Sequence, residues 1–376
     1  MNEKHIKILS AELNLNESQV KGALLLFEQG ATIPFVARYR KEVTGGMNEE
    51  QLAALFHRSE KLVEIDKRRE SILNTLTENE QLTPELEKQL NEAQTMTELE
   101  DIYLPYRPKR KTRASIAIER GLEPLAKILM SQHFGDIQPS AQRFVNPEKG
   151  VATYEEALAG ARDVVAEWVS ENRHAREKIR RLFQRDATIK AEVVKDKEEE
   201  AQKYKIYFDF EENLRKSPSH RVMAVLRAEN EGFLKVKITP PETLALDILE
   251  KQFVKNDSEA AEQVWFAVKD SYKRLLQPTM ETEFRNQAKE RADGEAIRVF
   301  ADNLRQLLMA PPLGQKNVLA IDPGFRTGCK IVCLNRQGKL LHNETIYPHP
   351  PQNEVKQSIN KLEQLVKMYK IEAIAI

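Results

Sequence analysis

The run Ala310-Pro311-Pro312-Leu313-Gly314 separates two stretches of chain that obey different periodicities. Consecutive prolines followed by glycine cannot continue a helix, so a junction is expected there. Before it, apolar residues recur at spacings of three and four, as in Ile6, Leu9, Leu13 and in Val20, Leu24, Phe27, which marks helical faces. After it, short apolar runs at Val318 to Ile321, Lys330 to Leu334 and Leu340 to Tyr347 read as strands, with Arg336-Gln337-Gly338 as a turn. An amphipathic helix over 353–369 and a further strand from Glu372 to Ile376 complete a strand–strand–strand–helix–strand order. The chain therefore reads as mainly α, followed by the first portion of an α/β domain. The sheet is expected to continue past Ile376.

Four regions are expected: a multi-helical region over 1–185, a small insert over 186–240, a helical linker over 241–313 and the partial α/β domain over 314–376. In the first, Asn48 to Asn79 predicts one long amphipathic helix through Leu52, Leu55, Leu62, Ile65, Ile72 and Leu76. Thr83-Pro84 is a helix start, and Thr153-Tyr154-Glu155-Glu156 has the pattern of a capping box. In the insert, Ile189, Ala191, Val193 alternate, and Tyr204, Ile206, Phe208, Phe210 alternate again, which predicts strands. Ser217 to Ile238 reads as a helix followed by a strand and is compatible with a helix-turn-helix-like part, with His220, Arg221 and Arg227 as its contact residues. In the linker, Trp265, Phe266, Leu275 and Leu276 are expected in the core.

Lys+Arg and Asp+Glu both number 58, so attraction to a polyanion has to come from local patches rather than net charge. The two cysteines, Cys329 and Cys333, lie four positions apart on a predicted strand, roughly 13 Å at ~3.3 Å per residue, too far for a disulfide. Reduced thiols of this kind fit the cytoplasm. No apolar run approaches the ~20 residues of a membrane helix.

Four segments carry candidate chemistry. Asp322, in Ile321-Asp322-Pro323-Gly324, ends a predicted strand, where a carboxylate is a Mg²⁺ ligand in nucleases of ribonuclease-H-like fold. Two-metal chemistry needs several converging carboxylates, and these are expected beyond Ile376; the alternative is a turn cap, with Asp322 a remnant. The stretch from Tyr103 to Arg113 places Arg107, Lys109, Arg110, Lys111 and Arg113 beside Tyr103 and Tyr106, with no acidic residue from 107 to 113. Cations beside aromatics suit a phosphate backbone or a single strand, and a proline-braced structural connector is the other reading. Pro34 to Gly46 is basic, ends in Gly-Gly and reads as structural. Arg173, Arg176 and Arg180, in the arginine-rich stretch to Arg185, fall on one helical face that is expected to be solvated. The sequence has no Ser/His/Asp arrangement and no His/Cys metal spacing, so neither metal nor cofactor is expected.

Residues 33–52 (IPFVARYRKEVTGGMNEEQL), 99–126 (LEDIYLPYRPKRKTRASIAIERGLEPLA) and 318–341 (VLAIDPGFRTGCKIVCLNRQGKLL) resemble, in that order, the bacterial Tex transcription accessory proteins, which are similar to the core of a eukaryotic elongation factor. The resemblance implies an N-terminal helical region with a helix-turn-helix-like part and then a YqgF domain of ribonuclease-H-like fold. Helix-hairpin-helix elements and an S1 domain would follow beyond Ile376, and the S1 domain would carry most of the family's nucleic-acid binding. It further implies a non-catalytic scaffold that binds RNA or DNA without sequence preference, working beside RNA polymerase or ribosome-associated factors. A metal-dependent nuclease or resolvase acting through the YqgF domain, and a protein-interaction module, are the alternatives.

Overall fold

The computed structural model describes residues 2–108, 111–133, 135–324 and 327–376. Two compact units divide the chain, Met1–Glu295 and Ala296–Ile376.

The first unit opens with helices α1 (Glu3–Leu13), α2 (Glu17–Glu28), α3 (Ile33–Tyr39), α4 (Lys41–Thr44), α5 (Glu49–Glu78), α6 (Pro84–Glu92) and α7 (Met96–Tyr103). α5 is the long amphipathic helix expected from its periodicity. Asn48 starts it with a reciprocal cap: its Oδ1 accepts from Gln51 N at 2.8 Å, and Gln51 Oε1 accepts from Asn48 N at 3.1 Å. Thr83 caps α6 as expected, accepting from Leu86 N. Leu9, Val20, Leu52, Leu55, Ile72, Leu76, Leu90 and Leu99 form the shared core of these helices. Gly22 makes one close approach possible, since a Cβ there would sit 2.5 Å from the backbone oxygen of Val43.

Then come α8 (Arg113–Glu119), α9 (Glu123–Ser131), α10 (Gln138–Gln142), α11 (Tyr154–Glu171) and α12 (Arg173–Asp186). They are followed by β1 (Thr188–Val193), β2 (Asp209–Asn213), α13 (Ser219–Asn230), β3 (Leu234–Thr239), α14 (Glu242–Phe253), α15 (Glu259–Asp270) and α16 (Gln277–Leu308). A π-helical turn, Ser271–Leu276, joins α15 to α16. The three strands form an antiparallel sheet in the order β2-β1-β3. α13 lies in sequence between β2 and β3 and packs against β3.

One core spans everything from Ala114 to Ala292, holding Val164 of α11, Ile189 of β1, Val225 of α13, Ile238 of β3, Val264 of α15 and Phe284 of α16 together. The expected separations at 185/186 and 240/241 therefore do not correspond to separate cores. The change of core falls between Tyr103 and Ala114 instead.

Several local expectations are corrected. The alternation read at Tyr204 and Ile206 belongs to a 3-10 helix, Gln202–Tyr207, whose buried residues Tyr204 and Tyr207 are three apart while Ile206 is 77% exposed. Phe266 is exposed and Trp265 only half-buried, because α15 turns Val264, Ala267 and Val268 inward. Thr153 caps α11 by accepting from Glu156 N. The Glu156 carboxylate accepts from Ala152 N rather than from the capping residue, so the box is displaced by one residue. Arg176 does not lie on a solvated face: it is buried and bonded to Asp101.

The second unit takes in the last part of α16, from Ala296, and then β4 (Val318–Asp322), β5 (Cys329–Leu334), β6 (Leu340–Ile346), α17 (Val355–Met368) and β7 (Ala373–Ala375). The sheet order is β6-β5-β4-β7. β4, β5 and β6 form an antiparallel meander, and α17 carries the chain across so that β7 pairs parallel with β4, Leu319 opposite Ile374. Leu319, Cys329, Ile331, Cys333, Ile346 and Leu365 pack the core. Both thiols are free and buried, and burial pushes that of Cys333 up.

Candidate nucleic-acid interface

The basic stretch leaves the C-terminus of α7. Leu104-Pro105-Tyr106 makes one 3-10 turn, and Arg107 is extended, as a residue ahead of proline prefers. Thr112 begins α8 with a reciprocal cap, its Oγ1 accepting from Ser115 N at 3.0 Å and its N donating to Ser115 Oγ at 2.8 Å. The Thr112 hydroxyl also donates to Glu167 of α11 at 3.1 Å, which ties the loop's far end to that helix. Gly160 admits the α8–α9 junction against α11: a Cβ there would overlap Leu122.

Between the loop, α11 and the start of α16 lies a cleft of about 480 Å³. Arg107, Arg113, Arg176 and Arg274 line it together with Thr112, Glu167 and Glu171, and Leu104, Leu275 and Pro278 supply apolar wall. The arginines are not equivalent. Arg176 donates to Asp101 at 2.7 Å and to the Ser170 carbonyl at 3.3 Å, and Arg274 donates to Asp270 at 3.0 Å and reaches Asp163 at 3.4 Å. The hydrogen bond to Asp270 raises the Arg274 pKa. Burial pushes the Asp163 carboxyl up, opposed by Arg274 and Arg113. Arg107 and Arg113 are exposed and form no ion pair with a described residue, although Glu167 and Glu171 line the same cleft and Arg113 lies near enough to Asp163 to oppose the rise of its pKa. They are the cations available to an anion.

Of the other residues picked out in the sequence, Lys111 is exposed on the same loop. Lys109 and Arg110 lie outside the described residues. Arg221 and Arg227 are exposed on α13 and do not line the cleft; Arg221 donates to Glu212 at 3.1 Å. Asp322 is exposed at the end of β4, opposite Lys330. Among the described residues no three His, Cys, Asp or Glu side chains converge as metal ligands would. Arg274, more than 160 positions from Arg107, carries no signal in the sequence that joins it to the loop.

A multi-helical body with an embedded three-stranded sheet, followed by an α/β unit whose four strands run in the order β6-β5-β4-β7, defines a class of protein. Residues 3–77 match the family described as Tex-like protein N-terminal domain, 135–300 Tex central region-like, and 316–376 Tex protein YqgF-like domain. The chain belongs to the Tex family. It is 38% identical over 371 residues to the uncharacterized protein YdcI of Bacillus subtilis, covering 98% of this chain and 52% of that protein. It is 37% identical over 380 residues to the transcriptional accessory protein Tex of Neisseria gonorrhoeae, covering 98% and 49%. It is 26% identical over 366 residues to the human S1 RNA-binding domain-containing protein 1, covering 93% and 36%. The chain spans about half the length of the bacterial relatives it matches.

Proposed function

We propose that this chain is a nucleic-acid-binding part of a transcription accessory factor, acting as a non-catalytic scaffold in the cytoplasm. The observation that carries the reading is the pair Arg107 and Arg113, two exposed cations that line a single cleft. Two guanidinium groups so held suit successive backbone phosphates, a contact that positions a strand without reading its sequence. RNA or DNA is thus the ligand, and RNA polymerase or ribosome-associated factors are the machinery beside which the scaffold works. The names of the relatives, a transcriptional accessory protein and an S1 RNA-binding domain-containing protein, support the same class. No helix among the described residues is long and apolar enough to cross a membrane.

Fluorescence anisotropy with a labelled RNA tests the binding. The full chain is expected to give a salt-dependent shift that Arg107→Glu with Arg113→Glu weakens at least tenfold; an unchanged shift contradicts the reading. The absence of catalysis is tested separately, by incubation with single-stranded and branched substrates and Mg²⁺ or Mn²⁺. Cleavage that Asp322→Asn abolishes would make the chain a nuclease instead.

A further inference from the structure

The α3 helix presents two aromatic rings to solvent beside cations that hold no carboxylate among the described residues. Phe35 is 40% and Tyr39 63% exposed, four residues apart on one face of the helix. Their ring centroids are 5.5 Å apart at an interplanar angle of 46°. The Arg40 guanidinium lies 5.2 Å from the Phe35 centroid and donates to the Tyr39 carbonyl at 3.0 Å. Arg38 and Lys41 are exposed as well, and neither they nor Arg40 form an ion pair among the described residues. Elsewhere this chain pairs such cations readily, as in Arg58–Glu12, Arg68–Glu100 and Arg336–Glu372. Glu42 is the one acid within the segment, and it is exposed.

The platform is fixed from behind. Val36 and Ala37, on the opposite side of α3, are buried in the core shared with α5. The Gln19 side-chain amide donates to the carbonyls of Thr44 at 3.3 Å and Gly45 at 3.2 Å. Gly45 adopts a positive φ of 62°, and a Cβ there would meet Gln19 at 2.6 Å, so this turn needs glycine. A mobile surface loop would let Phe35 and Tyr39 fold inward, whereas this anchored helix keeps both rings outward.

We infer that α3 is a stacking site for single-stranded nucleic acid, with bases against Phe35 and Tyr39 and phosphates against Arg38, Arg40 and Lys41. Exposed rings flanked by unpaired cations are what an unpaired strand needs, because every base has a π-face to stack and every linkage a negative charge. A duplex hides those faces in its own stack. The inference takes its ligand class from the nucleic-acid reading above but rests on residues remote in sequence from Arg107 and Arg113.

The test is anisotropy with three labelled probes: an oligo-U strand, an abasic strand of equal length and a duplex. Each is titrated with the full chain, with Phe35→Ala, Tyr39→Ala and Tyr39→Trp, and with the Arg107→Glu/Arg113→Glu double variant. Far-UV circular dichroism monitors the fold of each. The expected result is that wild type prefers oligo-U to the abasic strand, and that Tyr39→Ala weakens oligo-U binding about tenfold while leaving the abasic strand unchanged. Tyr39→Trp should restore affinity and have its indole emission quenched by the strand. Equal binding of oligo-U and abasic strands by wild type overturns the stacking site. So does undiminished oligo-U binding by folded Phe35→Ala and Tyr39→Ala; if the arginine double variant then loses binding, the cleft stands and only the stacking site falls. No binding of any probe by wild type removes both. Binding of poly-glutamate at this face without binding of oligo-U assigns it to an acidic protein and overturns the inference.

Discussion

Asp101 of α7 and Arg176 of α12 meet in a buried ion pair at 2.7 Å, joining the core of the N-terminal helices to the core that begins at Ala114. Arg180 reaches the second Asp101 oxygen at 2.9 Å and Glu283 of α16 at 2.8 Å, so one carboxylate holds two arginines and one arginine holds two carboxylates. Asp101→Asn leaves a buried guanidinium without its counter-charge and is expected to cost about 3–5 kcal/mol, read as a lowered urea midpoint. Arg173→Ala, three residues before Arg176 and exposed, should move the midpoint by no more than about 0.5 kcal/mol. Equal effects of the two would show that the pair contributes nothing special.

Gly160 and Gly22 are points of close helix approach, and alanine at either is expected to destabilise. A Cβ on Gly160 overlaps Leu122, and one on Gly22 meets the Val43 backbone, which cannot rotate away. Overpacking of this kind typically costs about 1–3 kcal/mol. Thermal unfolding followed by circular dichroism should show a lowered midpoint for both. Gly294, whose Cβ would meet nothing within 4 Å, should accept alanine without loss.

The pair Glu12–Arg58 makes part of the stability depend on pH. Arg58 donates to both carboxylate oxygens, at 2.6 and 2.8 Å, and this hydrogen bonding holds the Glu12 pKa below its ordinary value. A depressed folded-state pKa contributes stability above the unfolded pKa and loses it as pH falls through the folded one. Asp163 works in the opposite sense: burial raises its pKa, so its ionised form weakens the fold and acidification relieves that. Urea midpoints across the acidic range should fall less steeply for Arg58→Ala than for wild type. Asp163→Asn should steepen the same fall. A common slope for all three proteins would refute both assignments.

Helix starts and the change of architecture were legible in the sequence because they depend on near neighbours. Thr83 with Pro84, and the prolines ahead of β4, act over a few residues. The burial of Arg176 was not legible, since its partner Asp101 lies 75 positions away and a helical arginine stripe looks the same whether solvated or paired. Arg274 was missed as a lining residue of the cleft for the same reason. Tyr204 and Ile206 misled because an alternation over three residues does not separate a strand from a 3-10 turn. The site was half legible: Arg107 and Arg113 are contiguous enough to read as one loop, but the wall that turns the loop into a cleft comes from distant elements.

Salt dependence offers an independent check on the phosphate contacts. Each phosphate neutralised on a single strand adds about 0.7 to the negative slope of log K against log salt. Removing the charge of Arg107 and Arg113 together should lower that slope by about 1.4. Arg221→Ala, on α13, should leave it unchanged.

Photo-crosslinking the full chain to a photoactivatable RNA, with the adducted peptides mapped by mass spectrometry, examines the core of the account directly. Adducts on the peptides spanning Tyr103 to Arg113 are the predicted result, lost when Arg107 and Arg113 are both replaced by glutamate. A chain that forms no adducts in this segment, while its RNA attaches reproducibly elsewhere, would contradict the assignment of the cleft.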